Sequence, residues 1–333
     1  MRKSTLLLST LLLLASVSGC QSSATSGGYR YPNIVVYGFS TEEVVFTEEI
    51  FPAFEAYWQE LTGQEVTVQG VFGPSEEITD AILSGARADV AILSNEQHAV
   101  WLQVNDVVQT DWHTFPQGGI VTRSPLVIVV RPGNPLGIRG WSDLARPGIS
   151  VIHPDPRTSG GAQWALLAEY GAALLEPGGS AEAATEQLQA IWANVVATPA
   201  SSQDALKQFI FGAGDAMVTY EQDALLAQER GATLEIVMPN RTVMSEHVAV
   251  IVDRHVKADE RDVVEGLVAY LWSQTAQQSF VRYYFRAVID EALNDAEEAF
   301  HDIPNGFTVQ DLGGWGQVYA EVIHGAWEEQ SGQ

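Results

Sequence analysis

The order of elements predicts an α/β fold, because short β-branched runs alternate with helix-spaced apolar patterns along most of the chain. Two further observations bound it. With 333 residues and 46% hydrophobic content, the chain can form two compact lobes and bury a core in each. Strand–helix–strand units at this spacing make each sheet mostly parallel and flanked by helices.

The elements follow in order. Residues 33–37, with β-branched side chains at Ile34, Val35 and Val36, read as the first strand. Residues 42–62 carry apolar side chains at helical spacing and stop at Gly63, a residue suited to closing a helix. A strand over 65–69 leads to the loop Phe72-Gly73-Pro74, and Ser75 is expected to cap a helix running to about Ala86. Residues 89–93 form a third strand. Residues 125–131 are strongly apolar and end at the turn Pro132-Gly133-Asn134-Pro135. Next come a strand over 149–153, a helix to about Leu175, a helix over 181–193, a strand near Val195, a helix from Gln203 and a strand over 216–220. Residues 246–252 look like a returning strand, 259–272 and 273–284 like helices, and 313–327 like a last helix. There is no repeat of fixed period and no coiled coil.

The first twenty residues stand apart. Arg2 and Lys3 precede the apolar run 6–14, and Val17-Ser18-Gly19-Cys20 ends it. That run is too short to span a bilayer permanently and reads as a secretory signal. Cys20 is the only cysteine, so the exported chain has no intramolecular disulfide. Small residues directly before it resemble a bacterial lipobox. That resemblance implies cleavage after residue 19, lipidation of Cys20 and a tether over 20–32; an ordinary secretory signal is the alternative.

A formal charge of −25, from 17 basic and 42 acidic residues, argues against nucleic acid, which needs clustered Lys and Arg. It favours solubility without choosing a ligand.

In open α/β sheets, ligands bind beyond the carboxyl ends of strands, where helix N-termini point inward. Four loops qualify: 38–41, 73–75, 158–161 and 199–203. The third, within "RTSGGAQW" (157–164), is the most explicit. Trp164, Leu167, Ala168, Gly171, Leu174 and Leu175 share one helical face, so Ser159 becomes the N-cap and Gly160, Gly161 and Ala162 the first turn. Their N–H groups have no intrahelical partner, the helix dipole adds positive potential, and glycines admit close approach. A tetrahedral oxyanion fits without any lysine or arginine. Taken alone, the same residues also describe an ordinary helix cap.

The stretch 131–171, "RPGNPLGIRGWSDLARPGISVIHPDPRTSGGAQWALLAEYG", closely resembles the periplasmic sulfate-binding proteins of ABC importers. A weaker likeness extends over about 33–327, including "ADVAIL" and "GAGDAMVTYEQDALLA". The resemblance implies a two-lobed type II periplasmic-binding-protein fold with two crossover strands. Lobe 1 would comprise 33–122 and 248–333, and lobe 2 would comprise 123–247. Trp315 and Trp327 are then expected to pack the last helix on lobe 1. It also implies ligand contacts at Gly38, Ser40, Ser75, Ser159, Gly160, Gly161, Ser201 and Tyr220. Several positions depart from the family. Gly38 stands for an aspartate, Tyr220 for a donor-only tryptophan, Gln163 for an arginine, and Glu76-Glu77 for a glycine and a lysine; the arginine of "GARGS" is missing from 200–204. The tyrosine hydroxyl can donate or accept, which suits a protonated oxyanion as well as sulfate. Glu76 and Glu77 read as first-turn acids or as competitors for the helix start. Arg123 is a candidate compensating charge, or an interdomain residue.

None of the seven histidines forms a metal-binding motif, and neither GxSxG nor Walker A is present, so neither a metal, a cofactor nor an enzyme is expected. The expected function is a lipid-anchored, monomeric receptor that hands sulfate to an ABC permease. It would sit in the periplasm or at the cell surface. The alternatives are another ligand on the same fold (thiosulfate, molybdate, phosphate or a small carboxylate) and an exported adhesion or sensor lipoprotein.

Overall fold

The computed structural model describes residues 32–328; Cys20, the leader and nearly all of the expected tether lie outside the described residues. The strands are β1 (Asn33–Phe39), β2 (Thr67–Gly73), β3 (Val90–Leu93), β4 (Ile120–Val130), β5 (Val151–Ile152), β6 (Val195–Ala197), β7 (Ala216–Tyr220), β8 (Glu235–Val237), β9 (Arg241–Ile251) and β10 (Asn305–Phe307). Hydrogen-bonded neighbours run β2-β1-β3-β9-β4-β7-β5-β6, with β10 on β9 and β8 on β4.

β1 is parallel to β2 and β3, and β5 is parallel to β6 and β7. Two long antiparallel strands join these groups. β4 lies against β9 over residues 120–125, then against β7 over 126–130. β9 continues from β4 to pair with β3 over 248–251. This is the two-lobed arrangement with two crossover strands. All described residues belong to one compact unit.

Both crossover strands are longer than expected. Their extra residues, 120–124 and 241–245, mix polar and apolar side chains because they pass between cores rather than through one. Two of the buried hydroxyls are satisfied across the strands: Thr242 Oγ1 donates to the Leu126 carbonyl (2.7 Å), and Ser245 Oγ to the Ser124 carbonyl (2.6 Å). Beyond the crossing, alternate side chains of β4 enter different cores, with Leu126, Ile128 and Val130 in one and Val127 and Val129 in another. Coverage on both faces explains the continuous apolar run.

The helices are α1 (Glu43–Val45), which passes through a π-helical stretch (Phe46–Ile50) into α2 (Phe51–Thr62), then α3 (Ser75–Leu83) and α4 (Glu96–Val104). Gly63 closes α2 at φ 73°, as expected of a left-handed cap. The second half carries α5 (Gly160–Leu174), α6 (Ala181–Trp192), α7 (Ser202–Ile210) and α8 (Glu221–Glu229). After β9 come α9 (Arg261–Tyr270), α10 (Gln274–Arg282), α11 (Glu291–Asp295) and α12 (Trp315–Val318), the last prolonged as a π-type helix (Tyr319–Glu328).

Two expectations are corrected. Ser75 is the first residue of α3 and Pro74 is its N-cap, so the serine side chain does not cap the helix. The last helix does not use Trp315 and Trp327 to pack on the first lobe. Trp315 meets Trp164 of α5 edge-on (centroids 4.7 Å apart), and Trp327 meets Trp192 of α6 (5.2 Å). The cause is α5 itself, which is largely apolar and is buried on all sides from Gly160 to Ala172; the terminal helix covers its second face.

Candidate anion-binding site

Ser159 caps α5 with extended backbone (φ −114°, ψ 116°), and its Oγ accepts from the Ala162 N–H at 3.3 Å. The Ser159 carbonyl accepts from Ala162 and Gln163. Gly160 and Gly161 precede the first residue able to bond within the helix, so their N–H groups belong to its unsatisfied first turn. Both glycines are buried, and each is small because something stands against it.

A Cβ on Gly160 would overlap the Ser94 hydroxyl and lie 3.1 Å from Ser75 Oγ. Ser94 follows β3 and Ser75 opens α3, so both reach α5 from the opposite half. A Cβ on Gly161 would overlap Ser202 Oγ, sit 2.9 Å from the Tyr220 ring and 3.2 Å from its hydroxyl. Hydroxyls from four elements therefore converge on the first turn of α5, and none of these residues is a lysine or arginine.

Tyr220 ends β7 and is fully buried. Its hydroxyl has no hydrogen-bond partner among the described residues, and burial pushes its pKa well above the ordinary tyrosine value, so it stays protonated. It is a buried donor aimed at the glycine turn.

The remaining expected residues are placed as follows. Gly38 lies within β1, paired with Phe72 and Ile92, and a Cβ there would meet the Phe72 ring at 2.6 Å. Ser40 is half-buried at the start of a 3-10 turn. Ser201 caps α7: its Oγ accepts from the Asp204 N–H (3.1 Å) and donates to Asp204 Oδ2 (2.9 Å). Arg123 pairs with Glu246 across the crossover strands (2.9 Å) and exchanges backbone hydrogen bonds with Arg286, which makes it an interdomain residue. His153, not among the expected contacts, follows β5 and is packed, with Nδ1 donating to the Pro154 carbonyl (2.7 Å).

The sequence reading missed Ser94 and Ser202. Ser94 lies in a fifth strand-to-helix loop, between β3 and α4, and the same positional rule would have found it. It also missed what Glu76 and Gln163 do to each other. The Gln163 amide donates to Glu76 Oε1 (2.7 Å) and accepts from Asn95 Nδ2 (2.9 Å), while His98 Nε2 contacts the same Glu76 oxygen (3.1 Å). Glu76 also donates its N–H to the Thr158 carbonyl (3.1 Å). Its carboxylate faces α5 rather than capping its own helix.

Below Tyr220, Asp223 of α8 is buried and accepts from Thr219 (3.0 Å), Gln203 (2.5 Å) and Thr41 (3.4 Å). Burial pushes its pKa up to about 7 against the pull of those donors, with Glu42 adding to the rise.

Two α/β halves joined by paired crossover strands, with main-chain amides and hydroxyls from both halves gathered at one helix start, define a solute-binding protein. The chain belongs to the bacterial extracellular solute-binding protein family, whose model matches residues 39–286. Members of this family serve transporters and are not enzymes. Among similar proteins, a sulfate-binding protein of Synechococcus elongatus is 31% identical over 96% of this chain and 91% of its own. A sulfate-binding protein of Escherichia coli is 30% identical over 82% of this chain and 85% of its own. The solved sulfate-binding protein SubI from Mycobacterium tuberculosis superposes with a TM-score of 0.80 at 29% identity, covering 87% of this chain and all but 1% of that one (99%). No helix among the described residues is long and apolar enough to cross a membrane.

Proposed function

We propose that the protein is the sulfate receptor of an ABC importer. It binds the dianion between its halves at the first turn of α5 and presents the closed form to the permease. The supporting observation is the convergence of Ser75, Ser94, Ser202 and the Tyr220 hydroxyl on the Gly160-Gly161 turn. This donor set carries no cationic side chain, and preorganised dipoles can replace the water around a fully ionised oxyanion. The sulfate-binding relatives point to the same ligand. Hinge closure about β4 and β9 is the motion that would shield the anion.

Gly38, Ser40, Ser159 and Ser201 belong to the proposed contact set through their backbone or hydroxyl groups. The chain is proposed to act as a monomer tethered through lipidated Cys20, with crossover boundaries near 122/123 and 247/248 and the terminal helix returning to the second lobe. Tyr220 supports a second reading, since its hydroxyl can also accept from a protonated oxyanion.

Isothermal titration of the mature chain with sulfate, thiosulfate, molybdate and phosphate tests the assignment. Saturable sulfate binding is expected; phosphate binding with no heat from sulfate would shift the function to the second reading. A Cys20→Ser chain should leave the membrane fraction.

A further inference from the structure

Gln163 and Glu76 share a bond that crosses from one half to the other beside the site, and neither belongs to the proposed donor set. The Gln163 side chain is fully occupied. Its Nε2 donates to Glu76 Oε1 (2.7 Å) and to the Pro156 carbonyl (3.1 Å) of its own half, and its Oε1 accepts from Asn95 (2.9 Å). Glu76 belongs to α3, and Asn95 caps α4. One amide thus spans two elements of one half and one loop of the other. His98, fully buried on α4, holds the Glu76 carboxylate from behind at 3.1 Å, and its Nδ1 lies 3.4 Å from Ser94 Oγ. The Glu76 carboxylate is mostly shielded, with 16% of its side chain exposed. A hydrogen bond to a shielded carboxylate is stronger than a neutral one.

We infer that Glu76 and Gln163 form a protein-only clasp, joining the halves through bonds that need no third molecule and so presetting the closed population that the anion finds. This inference rests on the reading that the halves close about a ligand. Its consequence is quantitative: apparent affinity equals intrinsic affinity scaled by the fraction of molecules already competent to bind. Glu76 and Gln163 are therefore positioning residues. The first-turn acid is useful here because a short donor on the facing helix meets it, and a glycine in its place would offer nothing to Gln163.

The test is small-angle X-ray scattering on the full mature chain dialysed into a chloride buffer free of sulfate. Wild type should fit the closed form. Gln163→Ala and Glu76→Ala should each raise the radius of gyration, and the double variant should be no more expanded than Gln163→Ala, which already removes the shared bond together with the one from Asn95. Gln163→Arg, which again places a donor against Glu76, should restore compactness. Titration with sulfate should show binding about tenfold weaker or more in the Ala variants. Should Gln163→Ala fail to fold by circular dichroism, Glu76→Ala, at a partly exposed position, carries the measurement alone. Ala variants as compact as wild type, or expansions that add in the double variant, would overturn the clasp. The scattering comparison contains no ligand, so it stands even where the sulfate assignment fails.

Discussion

The indole of Trp164 donates to the Ser94 carbonyl across the two halves at 2.7 Å, linking the second turn of α5 to the loop that carries one of the site hydroxyls. Both residues are fully buried, so the bond has no water to replace it. Trp164→Phe keeps most of the volume and the edge-on contact with Trp315 but leaves that carbonyl unpaired. We expect a loss of about 1–3 kcal/mol in urea unfolding, together with weaker anion binding because Ser94 loses its support. Unchanged stability would mean that the loop is held by packing alone.

Gly160 gives a sharper test. A Cβ there overlaps the Ser94 side chain. Gly160→Ala should reduce sulfate affinity by about tenfold or more while far-ultraviolet circular dichroism stays unchanged. Ser94→Gly in that background removes the obstructing atoms and should recover part of the loss; a double variant as weak as Gly160→Ala would place the obstruction elsewhere. Gly160→Asp should abolish binding outright, because it adds a carboxylate where the anion is proposed to sit.

What the sequence shows and what it hides divide along contact range. The Ser159 cap, the buried β4 run and the Gly63 stop are local, and each follows from residues within one turn or strand. The crossover portions of β4 and β9 were hidden because Thr122, Ser124, Thr242 and Ser245 look like loop residues until each finds a buried partner on another strand. Glu76 looked like an ordinary first-turn acid because its partner, Gln163, is 87 residues away. Trp315 and Trp327 showed that the last helix packs, but not on which half. Gln163 was visible as a departure from the family pattern; only the fold shows that it answers another departure.

Asp223 supplies a pH signature. Its carboxyl is raised to about 7 in the folded chain, chiefly by burial, from an ordinary 3.8. The folded form therefore holds a proton that the unfolded form has released over this interval. The stability contributed by the protonated carboxyl is fully present below the unfolded value and is lost as pH rises through about 7. His153, lowered to about 4 by burial, acts in the opposite sense and loses stability as pH falls through the acid range. The total profile mixes the two, so the informative quantity is the difference between wild type and Asp223→Asn. Urea unfolding at several pH values should show wild type losing ground to the variant as pH rises from about 5 to 8, at up to roughly 1.4 kcal/mol per unit. Parallel profiles would mean that Asp223 is ionised throughout.

Tyr220 decides between a ligand donor and an inert core residue, because the two roles move stability and affinity differently. Its hydroxyl is buried without a partner among the described residues, a costly arrangement unless something binds to it. Removing the oxygen in Tyr220→Phe should leave the anion-free protein as stable as before or slightly more so. The same change should weaken sulfate by about 10- to 100-fold, the magnitude of one hydrogen bond to a charged acceptor. Wild-type affinity in the Phe variant would exclude the hydroxyl from the site. Tyr220→Trp then separates donor from acceptor chemistry, since an indole can only donate. It should preserve sulfate binding while lowering any affinity for phosphate, whose remaining proton needs an acceptor. Equal losses for both anions would instead show that the larger ring obstructs the Gly161 turn.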